Sequence, residues 1–143
     1  NVDFAPTLLD MAGLEVPAGM QGKSFKGVFE GEEKNQRKSV YYHYYEYPIW
    51  HKVQPHYGVK TDRYKLMHFY YSMDEWELYD LKTDPNEVHN IYSEAPEELI
   101  DSLKNELEAL RKEYKDDGSI EQMKIMTDTV IRRVYNEPNK IMK

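Results

Sequence analysis

The sequence predicts an α+β fold: a four-stranded antiparallel sheet with a packed carboxy-terminal helix, preceded by a helix and a loop. Three observations predict it. Four short runs rich in tyrosine and other strand-favouring residues, 39–46, 57–61, 64–71 and 76–81, follow one another with no helix between them. Strands in such succession pair antiparallel. Apolar residues then recur at helical spacing, at Leu99, Leu103, Leu107, Leu110 and Tyr114. At the other end of the chain Phe4, Leu8, Leu9, Met11 and Ala12 fall on one side of a short helix that has no strand beside it.

Element by element, Gly13 is placed to end the first helix, and Pro17, Gly19, Gly22, Gly27 and Gly31 mark the loop that follows. Residues 1–31 therefore form one block, whose apolar side must pack on the sheet, on another chain or on a missing upstream domain. Residues 32–38 are charged and read as a linker. In the second block, 39–116, the pair 57–61 and 64–71 forms a hairpin around Thr61-Asp62-Arg63. Alternation sends His56, Gly58 and Lys60 to one face and Tyr57, Val59 and Thr61 to the other. Ser93 and Pro96 suit the start of the long helix, with Glu97, Glu98 and Asp101 early and Arg111, Lys112 and Lys115 late, as the helix dipole favours. Asp116-Asp117-Gly118 ends it. In the tail, 117–143, Ile120, Met123, Met126, Val130, Ile131 and Val134 fit a second amphipathic helix.

A net charge of −7 and a pI near 5.3 argue against nucleic-acid binding, which needs concentrated positive charge. No apolar run approaches the roughly 20 residues that span a bilayer, so no membrane partner is expected. The chain has no cysteine, which removes disulfides and thiolate chemistry. Asn1 is not an initiator methionine, and the chain is expected to be part of a longer protein.

Residues 41–92 hold eleven of the thirteen tyrosines, both tryptophans and all five histidines, and function is sought there. Tyrosine and tryptophan offer a flat face and a polar handle, which suits a sugar ring. His51 and His56, beside Trp50, are candidates to contact such a ligand, with Glu46 and Lys60 at the rim; the plain alternative is that both are surface histidines. Zinc on the clustered histidines and Glu46 is not favoured, because their spacing follows no recognised site. Asp80, Asp84 and Glu87 resemble a calcium loop only superficially. Asp84-Pro85 starts a turn, with Asn90 as a local backbone partner. Lys60, Arg63 and Lys65 form a small positive cluster that would suit an anionic ligand, or else Lys60 and Arg63 pair with acids such as Asp62 and Glu75.

Two stretches match a known family. Val2-Asp3-Phe4-Ala5-Pro6-Thr7-Leu8-Leu9-Asp10-Met11-Ala12-Gly13, then Val16-Pro17 and Gln21-Gly22-Lys23-Ser24, resembles the segment that closes the catalytic domain of formylglycine-dependent sulfatases. Gly58-Val59-Lys60-Thr61-Asp62-Arg63-Tyr64-Lys65-Leu66, Glu77-Leu78-Tyr79-Asp80-Leu81, Asp84-Pro85-Asn86-Glu87 and Asn90 resembles the carboxy-terminal subdomain of type I sulfatases. Glu46-Tyr47-Pro48 and residues 51–56 are similar to bacterial enzymes acting on N-acetylglucosamine 6-sulfate in glycosaminoglycans or mucins. Two departures stand out: Lys60 where the family usually has Arg, and Lys26-Gly27-Val28-Phe29 where it has Leu-Pro-Leu-Leu.

The resemblance implies that residues 1–31 end an α/β alkaline-phosphatase-like catalytic domain. It further implies that the whole enzyme uses formylglycine and calcium, and that it lies in the periplasm or outside the cell. This chain has no Cys/Ser-x-Pro-x-Arg motif. It is expected to lack catalytic residues and cofactors of its own, to be inactive alone, and to have as partners the upstream catalytic domain and a sulfated glycan. Self-association through the helix at residues 3–12 is a further expectation. The rival from another class is a non-enzymatic carbohydrate-binding or oligomerisation module.

Overall fold

The computed structural model describes residues 2–31, 37–48 and 51–136, and the chain divides into two compact units, Asn1–Lys38 and Ser39–Lys143. In the first unit, helix α1 spans Phe4–Met11 and a single turn, α2, spans Lys26–Phe29. Polar side chains hold the intervening loop against α1. The Thr7 hydroxyl donates to the Asp3 carbonyl at 2.6 Å and accepts from the Phe25 N–H at 3.1 Å. The Asp3 carboxylate accepts from the Lys23 N–H at 2.7 Å and from the Arg37 guanidinium at 2.5 Å. That guanidinium, chiefly, lowers the Asp3 carboxyl below its usual range. Gly13 ends α1 at φ +70°, a conformation that costs an L side chain energy. The second turn of helix was not expected, because four residues are too few to show a period.

In the second unit the strands are β1 Ser39–Tyr44, β2 His56–Thr61, β3 Tyr64–Phe69 and β4 Glu75–Asp80. They form an antiparallel meander in chain order, as the sequence predicts. The first expected strand ends two residues early, at Tyr44: Tyr45 turns to lay its ring on His43, with centroids 3.7 Å apart.

One face of the sheet is covered by α3, Glu97–Glu113. Leu103, Leu107 and Leu110 meet Tyr57, Val59, Leu66 and Leu78 there, with Val59, Leu66, Leu78 and Leu107 wholly excluded from water. Complete burial of a leucine contributes about 1.5 to 3 kcal/mol, so these positions dominate the stability of the unit. The tail is helical over Ile120–Asn136, here α4. Its start is closed reciprocally: the Gln122 N–H donates to the Ser119 hydroxyl at 3.2 Å, and the Ser119 N–H donates to Gln122 Oε1 at 2.9 Å. The corner between the helices is held by the buried Arg111 guanidinium, which donates to the carbonyls of Asp116 at 3.1 Å and Gly118 at 2.7 Å. Among the described residues no helix is long and apolar enough to cross a membrane.

Within the charged cluster Arg63 pairs with an acid, though with neither of the two named for it. Arg63 reaches across to Asp80, with nitrogens 2.8 and 3.1 Å from its carboxylate, rather than to Asp62 or Glu75. The register explains this: Tyr64 lies opposite Asp80, which puts the hairpin beside the end of β4, whereas Glu75 lies opposite Phe69 at the far end of the sheet. Lys65 bonds Glu87. The Asp84 turn is as predicted: its carboxylate accepts from the N–H groups of Val88 at 2.7 Å and His89 at 2.8 Å, while Asn90 Oδ1 accepts from those of Leu78 and Tyr92.

Candidate functional site

Because side chains alternate along a strand, burying Tyr57 and Val59 against α3 sends His56, Gly58 and Lys60 to the opposite face. Cross-strand register completes that face. Tyr44 and Phe69 flank His56, and Tyr42 and Met67 flank Gly58. Glycine is required at this point, since a Cβ would stand 2.6 Å from the Tyr42 hydroxyl and 2.4 Å from the Leu66 carbonyl oxygen. The Tyr42 ring occupies the space that the missing side chain leaves.

His56 is half-buried between aromatic neighbours. Tyr44 stacks on it with centroids 5.4 Å apart and planes 22° apart, and Phe69 lies 4.8 Å away on its other strand neighbour. Its Nδ1 is 2.8 Å from the Gln54 carbonyl oxygen. The hydroxyl oxygens of Tyr42 and Tyr44 are buried with no hydrogen-bond partner among the described residues. Such groups are uncommon in folded proteins, because an unpaired buried hydroxyl is costly.

The other predicted residues stand apart from His56. Lys60 is exposed four positions along β2, roughly 13 Å away at the usual rise of about 3.3 Å per residue. Glu46 and His51 are exposed in the segment between β1 and β2. Trp50 lies outside the described residues. What gathers around His56 is tyrosine and phenylalanine.

A second polar cluster, invisible in the sequence, lies on the helix-covered face. One Asp116 oxygen accepts from the Tyr41 hydroxyl at 2.5 Å, from His43 Nδ1 at 2.7 Å and from the Tyr45 hydroxyl at 2.9 Å. With Nδ1 donating, neutral His43 accepts at Nε2 from the Tyr70 hydroxyl, 2.9 Å away. Burial lowers the His43 imidazole and pushes the Tyr70 phenol up to about 12, so His43 is neutral and Tyr70 protonated near pH 7. Burial would raise the Asp116 carboxyl, but the bonds from Tyr41, His43 and Tyr45 hold it low. A cleft of about 460 Å³ opens beside this chain, walled by Tyr45, Tyr70, Met123, Met126 and Val130. His68 is treated alike: it lies 2.6 Å from Asp74 and 3.0 Å from the Tyr57 hydroxyl, and stacks on Trp76 at 4.2 Å.

No group of three or more His, Cys, Asp or Glu residues among those described could hold a metal ion. The three acids of the supposed calcium loop do not fit one either, since Asp80 is taken by Arg63, Asp84 by backbone N–H groups and Glu87 by Lys65.

A family model described as N-sulphoglucosamine sulphohydrolase, C-terminal, matches residues 1–113. The chain is 49% identical over 130 residues to N-acetylglucosamine-6-O-sulfatase of Bacteroides thetaiotaomicron, covering 88% of this chain and 23% of that protein. It is 38% identical over 96 residues to delta 4,5-hexuronate-2-O-sulfatase of the same organism, covering 64% of this chain and 19% of that protein. Among solved structures, BT4656 in complex with its substrate D-glucosamine-2-N,6-O-disulfate matches with a TM-score of 0.77 and 50% identity, over 83% of this chain and 25% of that one. The chain therefore spans about a quarter or less of the length of these relatives.

Proposed function

Since the chain belongs to the carboxy-terminal domain family of N-sulphoglucosamine sulphohydrolase, we propose that it serves as the carboxy-terminal subdomain of a sulfatase acting on sulfated amino sugars of glycosaminoglycans or mucins. The observation that carries this is the 49% identity, over 130 residues, to an N-acetylglucosamine-6-O-sulfatase. Sulfatases have alkaline-phosphatase-like catalytic domains. In the proposed division of labour that domain supplies the formylglycine nucleophile and holds calcium, while this chain contributes recognition and support. No step through either group is assigned to the residues described here.

Recognition is assigned to the face around His56. Aromatic rings there offer broad apolar contact and the half-buried imidazole offers a hydrogen bond, the combination a sugar ring needs. In the protein that carries both parts, His56→Ala is expected to lower kcat/KM towards an N-acetylglucosamine 6-sulfate by roughly tenfold or more, about 1.4 kcal/mol of transition-state stabilisation. His89→Ala, in an exposed turn where the ring faces Glu94 at 3.3 Å, should leave it nearly unchanged. Equal and small effects at both positions, with thermal stability preserved, would remove the role given to His56.

The partner proposed for the first unit is the catalytic domain of the same protein. Phe4, Leu8 and Met11 of α1 are 56–66% exposed, an apolar side that needs covering. In the chain on its own this side is expected to cause self-association. Light scattering should show Leu8→Glu to be less associated than the parent. A monomer in both cases would mean that the exposed side attracts nothing.

A further inference from the structure

The ring of His56 is held by more than its aromatic neighbours, and the additional contacts decide which of its nitrogens carries the proton. Nδ1 lies 2.8 Å from the Gln54 carbonyl oxygen, and a carbonyl can only accept, so Nδ1 must donate. That carbonyl is itself anchored. The Gln54 side-chain oxygen accepts from the Ser72 hydroxyl at 2.7 Å and from the Ser72 N–H at 3.4 Å. One residue on, the fully buried Pro55 accepts from the Tyr70 N–H at 3.4 Å, so the chain entering β2 is tied to the chain leaving β3. Stacking by Tyr44 and contact with Phe69 resist a flip of the ring, which would in any case replace N–H by C–H at the carbonyl.

We infer that Gln54 and Ser72 are positioning residues: they keep His56 in the tautomer protonated at Nδ1, so that the neutral ring meets its ligand with Nε2 as a hydrogen-bond acceptor. This rests on the proposed contact between His56 and the sugar. It also narrows that contact. An acceptor nitrogen takes a hydroxyl or an amide N–H of the amino sugar and disfavours a sulfate oxygen, which has only lone pairs to offer. His56 is thereby assigned to reading the sugar, and the sulfate is left to groups outside this chain.

Long-range proton–nitrogen NMR of the imidazoles in the ¹⁵N-labelled chain reads the tautomer directly and needs no activity. The expected pattern for His56 is a protonated Nδ1 and a bare Nε2. Ser72→Ala and Gln54→Ala keep the backbone carbonyl at position 54 but remove the side-chain bond that anchors it, and each should move the tautomer ratio towards Nε2–H by roughly two- to threefold, part of what one hydrogen bond contributes. Ser72→Thr and Gln54→Glu, which keep the hydroxyl and the acceptor, should keep the parental pattern. An Nε2–H or doubly protonated ring in the parent chain would overturn the inference, and so would alanine variants that fold normally and leave the ratio unchanged. If the tautomer stands but His56→Ala leaves kcat/KM intact in the two-part protein, it is the recognition role that fails. The opposite pair of results would sink the positioning and spare the recognition.

Discussion

The two faces of the sheet are both rich in tyrosine and histidine, yet they treat polar atoms differently. On the face under α3, each ring nitrogen of His43 and of His68 has a partner, and one carboxylate oxygen of Asp116 gathers three donors. On the opposite face the hydroxyls of Tyr42 and Tyr44 are buried with no partner among the described residues, and one nitrogen of His56 is tied down by a carbonyl. The same residue types thus satisfy their polar atoms among themselves on one side and leave two hydroxyls without a partner among the described residues on the other. Polarity closed within the molecule stabilises it, whereas polarity left open costs stability that only a ligand or a partner can return.

The largest effect should come from the covered face. Leu107→Ala, at a site fully excluded from water, is expected to cost about 2 to 5 kcal/mol in urea unfolding. A loss below about 0.5 kcal/mol would make α3 peripheral and void the contrast between the faces.

Smaller, and more telling, is a pair of single-oxygen deletions. Tyr41→Phe removes a donor to the ionised Asp116 and should cost about 1.5 to 3 kcal/mol. Tyr44→Phe removes a hydroxyl without a partner and should change stability by less than about 0.5 kcal/mol, or raise it. Equal losses would show that the Tyr44 hydroxyl is satisfied in solution and that the open face is closed after all.

The gentlest test is pH. Burial, more than the opposing pull of Asp116 and Asp74, lowers the imidazoles of His43 and His68 in the folded chain. The unfolded chain therefore takes up these protons first, near the ordinary value of about 6.5. Their stabilising contribution is complete above that pH and declines as pH falls through and below it towards the folded values. Urea midpoints measured from pH 8 to pH 5 should start to fall near pH 6.5, ahead of the carboxylates. A flat profile down to pH 5 would show that the fold does not hold these rings neutral.

How much of this was legible in the sequence follows from the range of each signal. Alternation along one strand was enough to set Tyr57 and Val59 on the face opposite His56, though not to say which face is the core, and helical spacing was enough for α3 and α4. The family was legible from motifs, and the match over residues 1–113 bears it out. The polar network was not legible. His43 and Asp116 are 73 residues apart, and Arg63 and Asp80 are 17 apart, so neither pair has a local pattern. Only the register of β1 against β2, which pairs His43 with Tyr57 and Tyr41 with Val59, puts both on the core side. The grouping of Lys60 with His56 came from face alone, and distance along the strand separates them.

Asp116 also bears on where this domain can be cut. The family model stops at residue 113, just where α3 ends. A truncation drawn there would retain all four strands and the whole of α3. It would remove the oxygen on which Tyr41, His43 and Tyr45 converge, together with both carbonyls that receive the Arg111 guanidinium. Excision at the homology boundary would take the shared acceptor from Tyr41, His43 and the exposed Tyr45 and leave the buried Arg111 guanidinium with only Glu108 and the Tyr57 ring, so residues 114–118 are expected to be needed for a stable fold.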